Sequence, residues 1–149
     1  MTKSNIAEIE ISYSFQTLKR FRIKIKNSDD AYKSFINCWN QDLIELQEEF
    51  KVLLLNNSNE VLGVHSLSKG STRGTVVDLK LLFAIALKSI ATGIIIAHNH
   101  PSGTLNPSRS DLELTKRIKK SGDLLDIKLL DHLIITKDEF YSLSDNNCY

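Results

Sequence analysis

His98 and His100 are two of only four histidines in the chain, and they stand two residues apart. On an extended backbone, side chains at i and i+2 leave the same face, so both imidazoles can reach one ion. Pro101 then fixes the exit direction of the chain, and Gly103 permits a tight turn. Ser108 is a residue type that opens helices, which puts Asp111 in a first helical turn, eleven residues beyond His100. Two neutral imidazoles and one carboxylate leave the fourth position of a zinc ion to water. That is the composition of an open catalytic site rather than a closed structural one. The same residues admit a plainer reading. A serine at a helix start with an acid three residues on is a variant capping box, and an HNH triplet also arises from loop polarity alone. His-x-His by itself is a weak signal; followed by Pro and then Ser-x-x-Asp it is considerably stronger.

Such a site needs elements to hold it. Residues 93–97, GIIIA, form a short, wholly apolar, β-branched run suited to a central strand that ends at the histidines. A helix over 108–121 follows, with Gly122 past its end, and LLDHLIIT supplies the next strand. Upstream, KVLLL reads as a buried strand, NNSNE as a polar turn and VLGVHSL as the antiparallel return. SKGSTRGTV is a loop marked by Gly70 and Gly74, after which Asp78 caps a helix bearing Leu81, Leu82, Ile85 and Ala86. Near the N-terminus, Ile9, Ile11, Tyr13 and Phe15 alternate with polar residues, as do Phe21, Ile23 and Ile25, which predicts two strands. Ser28 can cap a helix through Trp39. Strands and helices interleave after Phe50, so a mixed α/β layer fold is expected.

The segment AHNHPSGTLNPSRSD resembles the metal-binding signature of the JAB/MPN metalloprotease superfamily, in its RadC-like form. The resemblance continues through EEFKVLLLNNSNEVLG, KGSTRGTVVD and LLDHLIIT, and so covers roughly residues 45–145. It implies an α/β, cytidine-deaminase-like fold: a mixed central sheet flanked by helices in three layers. It divides the chain into an N-terminal extension, 1–44, and a RadC-like JAB/MPN domain, 45–149. The implied metal ligands are His98, His100 and Asp111, holding one Zn2+ per chain, and the implied reaction is peptide or isopeptide hydrolysis. Ser108 matches the serine that donates toward the developing oxyanion. The family's general base is a glutamate ahead of an early strand, for which Glu48 and Glu49 are both candidates. The spacing to Phe50 favours Glu48, but a one-residue slip reverses which side chain faces the site. Glu60, in a polar turn, is a poorer candidate. Asn99 projects opposite the histidines and is expected to organise the loop, as are Ser102 and Gly103. His65 and His132 read as internally satisfied histidines, Asp131 as either a structural partner or a neighbour of the site, and Cys38 (on a packed helix) and Cys148 as incidental.

Composition narrows the alternatives. Nineteen basic against eighteen acidic residues leave +1, which argues against a protein that coats nucleic acid. Two basic clusters exist, Lys19, Arg20, Arg22, Lys24 and Lys26, and then Lys116, Arg117, Lys119 and Lys120. The first alternates as the outward face of a strand, and the second sits where cations complement a helix C-terminus. A DNA-associated accessory role is therefore the less favoured alternative, and a non-catalytic MPN-type scaffold is another. The region before residue 45 also reads as strands and a helix rather than the helix-hairpin-helix-like part of longer RadC proteins. No signal peptide is evident, and LLFAIALKSIATGIIIA is interrupted by Lys88, Ser89 and Gly93, so a cytoplasmic protein without membrane partner is expected, acting on a peptide or protein substrate.

Overall fold

The computed structural model describes residues 5–70 and 76–149. The helices are α1 (Ser28–Ile36), α2 (Leu79–Lys88) and α3 (Arg109–Leu124); the strands are β1 (Glu49–Leu55), β2 (Val61–Lys69), β3 (Gly93–Asn99), β4 (Lys128–Ile135) and β5 (Phe140–Ser142). They build one five-stranded mixed sheet in the order β2-β1-β3-β4-β5. Only β3 and β4 run parallel, joined through α3; the other neighbours are antiparallel. The fold is thus the α/β arrangement the sequence implies.

β1 and β3 are buried along their whole length, as central strands covered on both faces must be. Their alternate side chains enter two different cores. Phe50, Val52, Leu54, Ile94 and Ile96 pack with Leu82, Phe83 and Ala86 of α2 and Ile118 of α3. Leu53, Leu55, Ile95 and Ala97 pack on the other face with Ala31 and Phe35 of α1, Trp39 and Ile44. The result is three layers, helix, sheet and helix, set by the period of two along each strand.

Several local expectations need correcting. Among the described residues the alternation over 9–15 builds no strand: Ile9 and Ile11 are exposed, and the isolated bridge of this region is made by Lys24, to Glu60. Residues 23 and 25 meet the β1–β2 turn rather than running along a strand edge, through Val61 N–H to Ile23 O and Ile25 N–H to Asn59 O. The cap of α1 is Asn27, whose side chain accepts the Asp30 N–H, so Ser28 is its first residue, and the helix stops at Ile36, leaving Cys38 exposed. Helix α3 runs past Gly122 to Leu124, because this glycine answers a close approach: a Cβ there would lie 2.2 Å from the Ile127 carbonyl oxygen. Asp78 does cap α2, accepting the N–H groups of Lys80 and Leu81. The glycine-marked loop expected after Lys69 falls mostly on residues 71–75, outside those described.

One irregularity matters for the site. Ile94 pairs with Leu129, but Ile95 pairs with Asp131, so Leu130 is an extra residue in β4. Such a bulge exchanges the two faces of the strand beyond it. Past the bulge Ile96 pairs with His132, which puts His132, and not Asp131, on the face of His98.

Candidate metal centre

Strand β3 delivers His98 at its end with the ring buried against Phe50, and His100 follows directly beyond Asn99. Ser108 caps α3 and places Asp111 in its first turn. These elements bring His98, His100 and Asp111 together, each offering one ligand atom within 4.8 Å of the others. The two Nε2 atoms lie 2.9 Å apart. Asp111 Oδ1 is 3.3 Å from His98 Nε2, and Oδ2 is 3.4 Å from His100 Nε2.

The capping box is present as well. Ser108 Oγ accepts the Asp111 N–H at 3.0 Å, and Asp111 Oδ2 accepts the Ser108 N–H at 2.8 Å. The two readings of Ser108 and Asp111 are therefore compatible: one carboxylate closes the helix start and faces both imidazoles. The bond from Asp111 leaves the Ser108 hydroxyl proton uncommitted to the cap.

Hydrogen bonds on the far side of each ring fix its tautomer. His100 Nδ1 lies 2.7 Å from the Thr104 carbonyl oxygen, which can only accept, so Nδ1 carries the proton and Nε2 the lone pair. Gly103, with φ +83°, and the Gly103 N–H bond to His100 O make the turn that presents this carbonyl. Behind His98 runs a longer chain. His98 Nδ1 is 2.8 Å from His132 Nε2, and His132 Nδ1 is 2.6 Å from Thr115 Oγ1. Thr115 donates its one hydroxyl proton to the Asp111 carbonyl at 2.6 Å. The threonine oxygen must then accept from His132 Nδ1, so His132 Nε2 accepts from His98 Nδ1, and His98 Nε2 keeps a lone pair. Burial, reinforced by the neighbouring His98, holds the His132 pKa well below the ordinary value, in keeping with a neutral ring that relays one proton.

Two lone pairs facing each other at 2.9 Å repel unless a cation lies between them. Without a metal, a proton takes that part. A hydrogen bond with Asp111 raises the pKa of His100 against the opposing effect of burial. Burial would raise the Asp111 carboxyl, but the adjoining His100 and His98 rings outweigh it and hold the group far below the usual carboxylate range. Two nitrogen donors of fixed tautomer and one ionised carboxylate suit a divalent zinc-like ion.

The two glutamates separate onto opposite faces. Phe50 pairs with His98 across β1 and β3, so Glu48, two residues before Phe50, lies on the histidine side and adds to the rise in the His100 pKa. Glu49 is turned away and buried, 3.4 Å from Lys51 Nζ and 3.2 Å from Lys69 Nζ. Glu60 belongs to the β1–β2 turn, where it accepts from Asn56 and pairs with Arg22. His65 is exposed on β2. Asp131 lies behind the sheet, accepting the Ser142 hydroxyl and the N–H groups of His132 and Ser144. The basic clusters are partly neutralised, with Lys119 on Asp123 at 2.9 Å and Arg22 on Glu60 at 3.6 Å. Sequence reasoning found the three clustered donors but missed Thr115 and the contact of His132. The DH pair at 131–132 was the available signal, and its facing depends on the bulge.

An α/β sheet whose central strand ends in a His-x-His facing an acid-capped helix defines a protein with a candidate metal centre. The chain belongs to the RadC-like JAB domain family, whose model matches residues 25–148. It is similar to a UPF0758 protein of Flavobacterium johnsoniae, 50% identical over 128 residues, 85% of this chain and 54% of that one. A UPF0758 protein of Clostridium beijerinckii is 39% identical over 143 residues, 94% of this chain and 61% of the relative. The chain thus spans little more than half the length of these relatives. Among the described residues, no helix is long and apolar enough to cross a membrane.

Proposed function

We propose that this chain is a zinc-dependent hydrolase of peptide or isopeptide bonds. The observation that carries the reading is the pair of Nε2 lone pairs, each fixed by a hydrogen bond at Nδ1, meeting at 2.9 Å beside the Asp111 carboxylate. Zinc held by His98, His100 and Asp111 would polarise a carbonyl and lower the pKa of a water toward neutrality.

The protein's own groups do the rest. Glu48, on the histidine face, takes a proton from the attacking water as the new C–O bond forms, and returns it to the amine as the C–N bond breaks. Ser108 keeps a hydroxyl proton to donate to the oxyanion, a contribution worth about 2.7–4 kcal/mol for a well-placed donor. A cleft of about 390 Å³ adjoins His100, lined by Ile44, Pro101, Lys137, Asp138 and Glu139, and supports the reading as room for a substrate beside the site.

The test is hydrolysis of peptide and ε-lysyl isopeptide libraries by the zinc-loaded protein and its Glu48→Gln variant. Cleavage by the wild type is expected, with turnover falling about 10²–10⁴-fold in the variant while zinc is retained. No cleavage of either class by zinc-loaded wild type contradicts the hydrolase reading. Full turnover in Glu48→Gln contradicts the role of that residue.

A further inference from the structure

The middle residue of the HNH triplet carries an inference of its own. Asn99 is completely buried at the end of β3, on the face opposite the histidines. Its amide uses all of its principal hydrogen-bonding capacity on one short segment. Oδ1 accepts the Glu49 N–H at 2.7 Å; Nδ2 donates to the Gln47 carbonyl at 2.9 Å and to the Ile44 carbonyl at 2.7 Å. A carbonyl only accepts and an N–H only donates, so these partners also fix which way round the amide sits.

The Gln47 carbonyl belongs to the peptide unit before Glu48, and the Glu49 N–H to the one after it. Both peptide planes flanking the Glu48 Cα are therefore tied to β3, and the Glu48 carbonyl also accepts the Gly70 N–H at 2.8 Å. The segment ahead of β1 has only turns of its own, so a base mounted there needs an external anchor. We propose that Asn99 is a positioning residue for the general base, clamping the backbone on both sides of Glu48. This rests on the reading of Glu48 as that base. One strand end then aims ligands to one face and anchors the base from the other, so the distance between metal and base is built into a single tripeptide. Aspartate in this place would set a carboxylate against two carbonyls, and alanine would take from three backbone groups a partner held in two buried bonds and one part-buried bond.

The experiment compares Asn99→Asp and Asn99→Ala with Glu48→Gln in the full, zinc-loaded chain. It follows zinc affinity by chelator competition, amide exchange by NMR, and turnover of a glycyl-glycyl-ε-lysine isopeptide reporter. Zinc affinity is expected to stay near that of the wild type. The Glu49 amide should exchange at least about tenfold faster while those of Val52 to Leu54 do not change. The kcat should fall about 10–100-fold with KM unchanged, the scale of a misplaced reacting group. In the Glu48→Gln background the Asn99 substitutions should cost almost nothing further, since a base that is absent cannot be misplaced. An additive loss in that background, or an unchanged kcat despite a loosened Glu49 amide, overturns the proposal. Should neither variant fold, the unaltered protein decides. Slow exchange of the Asn99 side-chain amide protons and of the Glu49 amide that bonds to Asn99 supports the clamp, and rapid exchange there overturns it. A wild type that turns over neither the reporter nor the peptide and isopeptide libraries refutes the hydrolase reading itself, while the exchange data still judge the clamp.

Discussion

Thr115→Val removes a single oxygen atom from α3 and should be felt at the metal-facing nitrogen of His98. The valine keeps the shape of threonine, and the hydroxyl it lacks donated to the Asp111 carbonyl and accepted from His132 Nδ1. His132 is fully buried, so its Nδ1 proton has no solvent to turn to. Two outcomes are open to it. The ring can keep its proton unpaired, which costs about 1–3 kcal/mol of stability, the desolvation penalty of an unsatisfied donor. Alternatively the proton moves to Nε2, facing His98 Nδ1, and His98 must then carry its own proton on Nε2, where the metal should sit. Losing an outer partner of this kind weakens metal binding about 10–100-fold, or about 1.4–2.7 kcal/mol. The two costs are nearly equal, so the same free energy should appear in one measurement or be divided between them. The assay is urea unfolding of the metal-free protein together with zinc competition, with imidazole tautomers read by 15N NMR. Wild-type stability, wild-type zinc affinity and unchanged tautomers in Thr115→Val would together refute the relay.

Glu49→Gln should destabilise the protein by up to about 3–5 kcal/mol in chemical unfolding, because Lys51 is buried and loses its ionic partner. The Ser66 hydroxyl and the Trp39 ring still touch that ammonium and should hold the loss to the lower part of the range, with zinc retained. Zinc affinity should fall as pH drops through the raised pKa of His100, by about tenfold per pH unit for one displaced proton, which calorimetry at several pH values can measure. In the metal-free protein the same group acts in the opposite direction. Its folded pKa lies above 6.5, so its stabilisation is complete below 6.5 and is lost as pH rises through the folded value; His100→Gln should flatten that part of the profile. Gly122→Ala should cost at least about 1–3 kcal/mol, since its Cβ would meet the backbone oxygen of Ile127 at 2.2 Å; a wild-type thermal midpoint would contradict this.

What could be read from the sequence was what depends on short-range geometry. The i, i+2 rule put His98 and His100 on one face and Asn99 on the other, and the Ser108 cap placed Asp111 in a first turn. Capping and ligation were set against each other as readings, yet a carboxylate has two oxygens and here serves both. The facts that escaped depend on pairing across long sequence separations. Whether Asp131 or His132 faces the site turns on one bulged residue in β4, which no local pattern marks. The facing of Glu48 and Glu49 is set by the Phe50–His98 register, a contact between strands far apart in the chain. The partners of Asn99 are likewise some fifty residues upstream. Alternation misled over 9–15 because period two describes a chain that can pair, and no neighbouring strand meets it among the described residues.

The central claim is a metal held by His98, His100 and Asp111, and elemental analysis of the purified, zinc-exposed protein tests it most directly. About one zinc per chain is expected for the wild type, with loss of the metal in both His98→Ala and Asp111→Ala while circular dichroism shows each still folded. Full metal retention in both variants, or a folded wild type that takes up no zinc, would contradict the account.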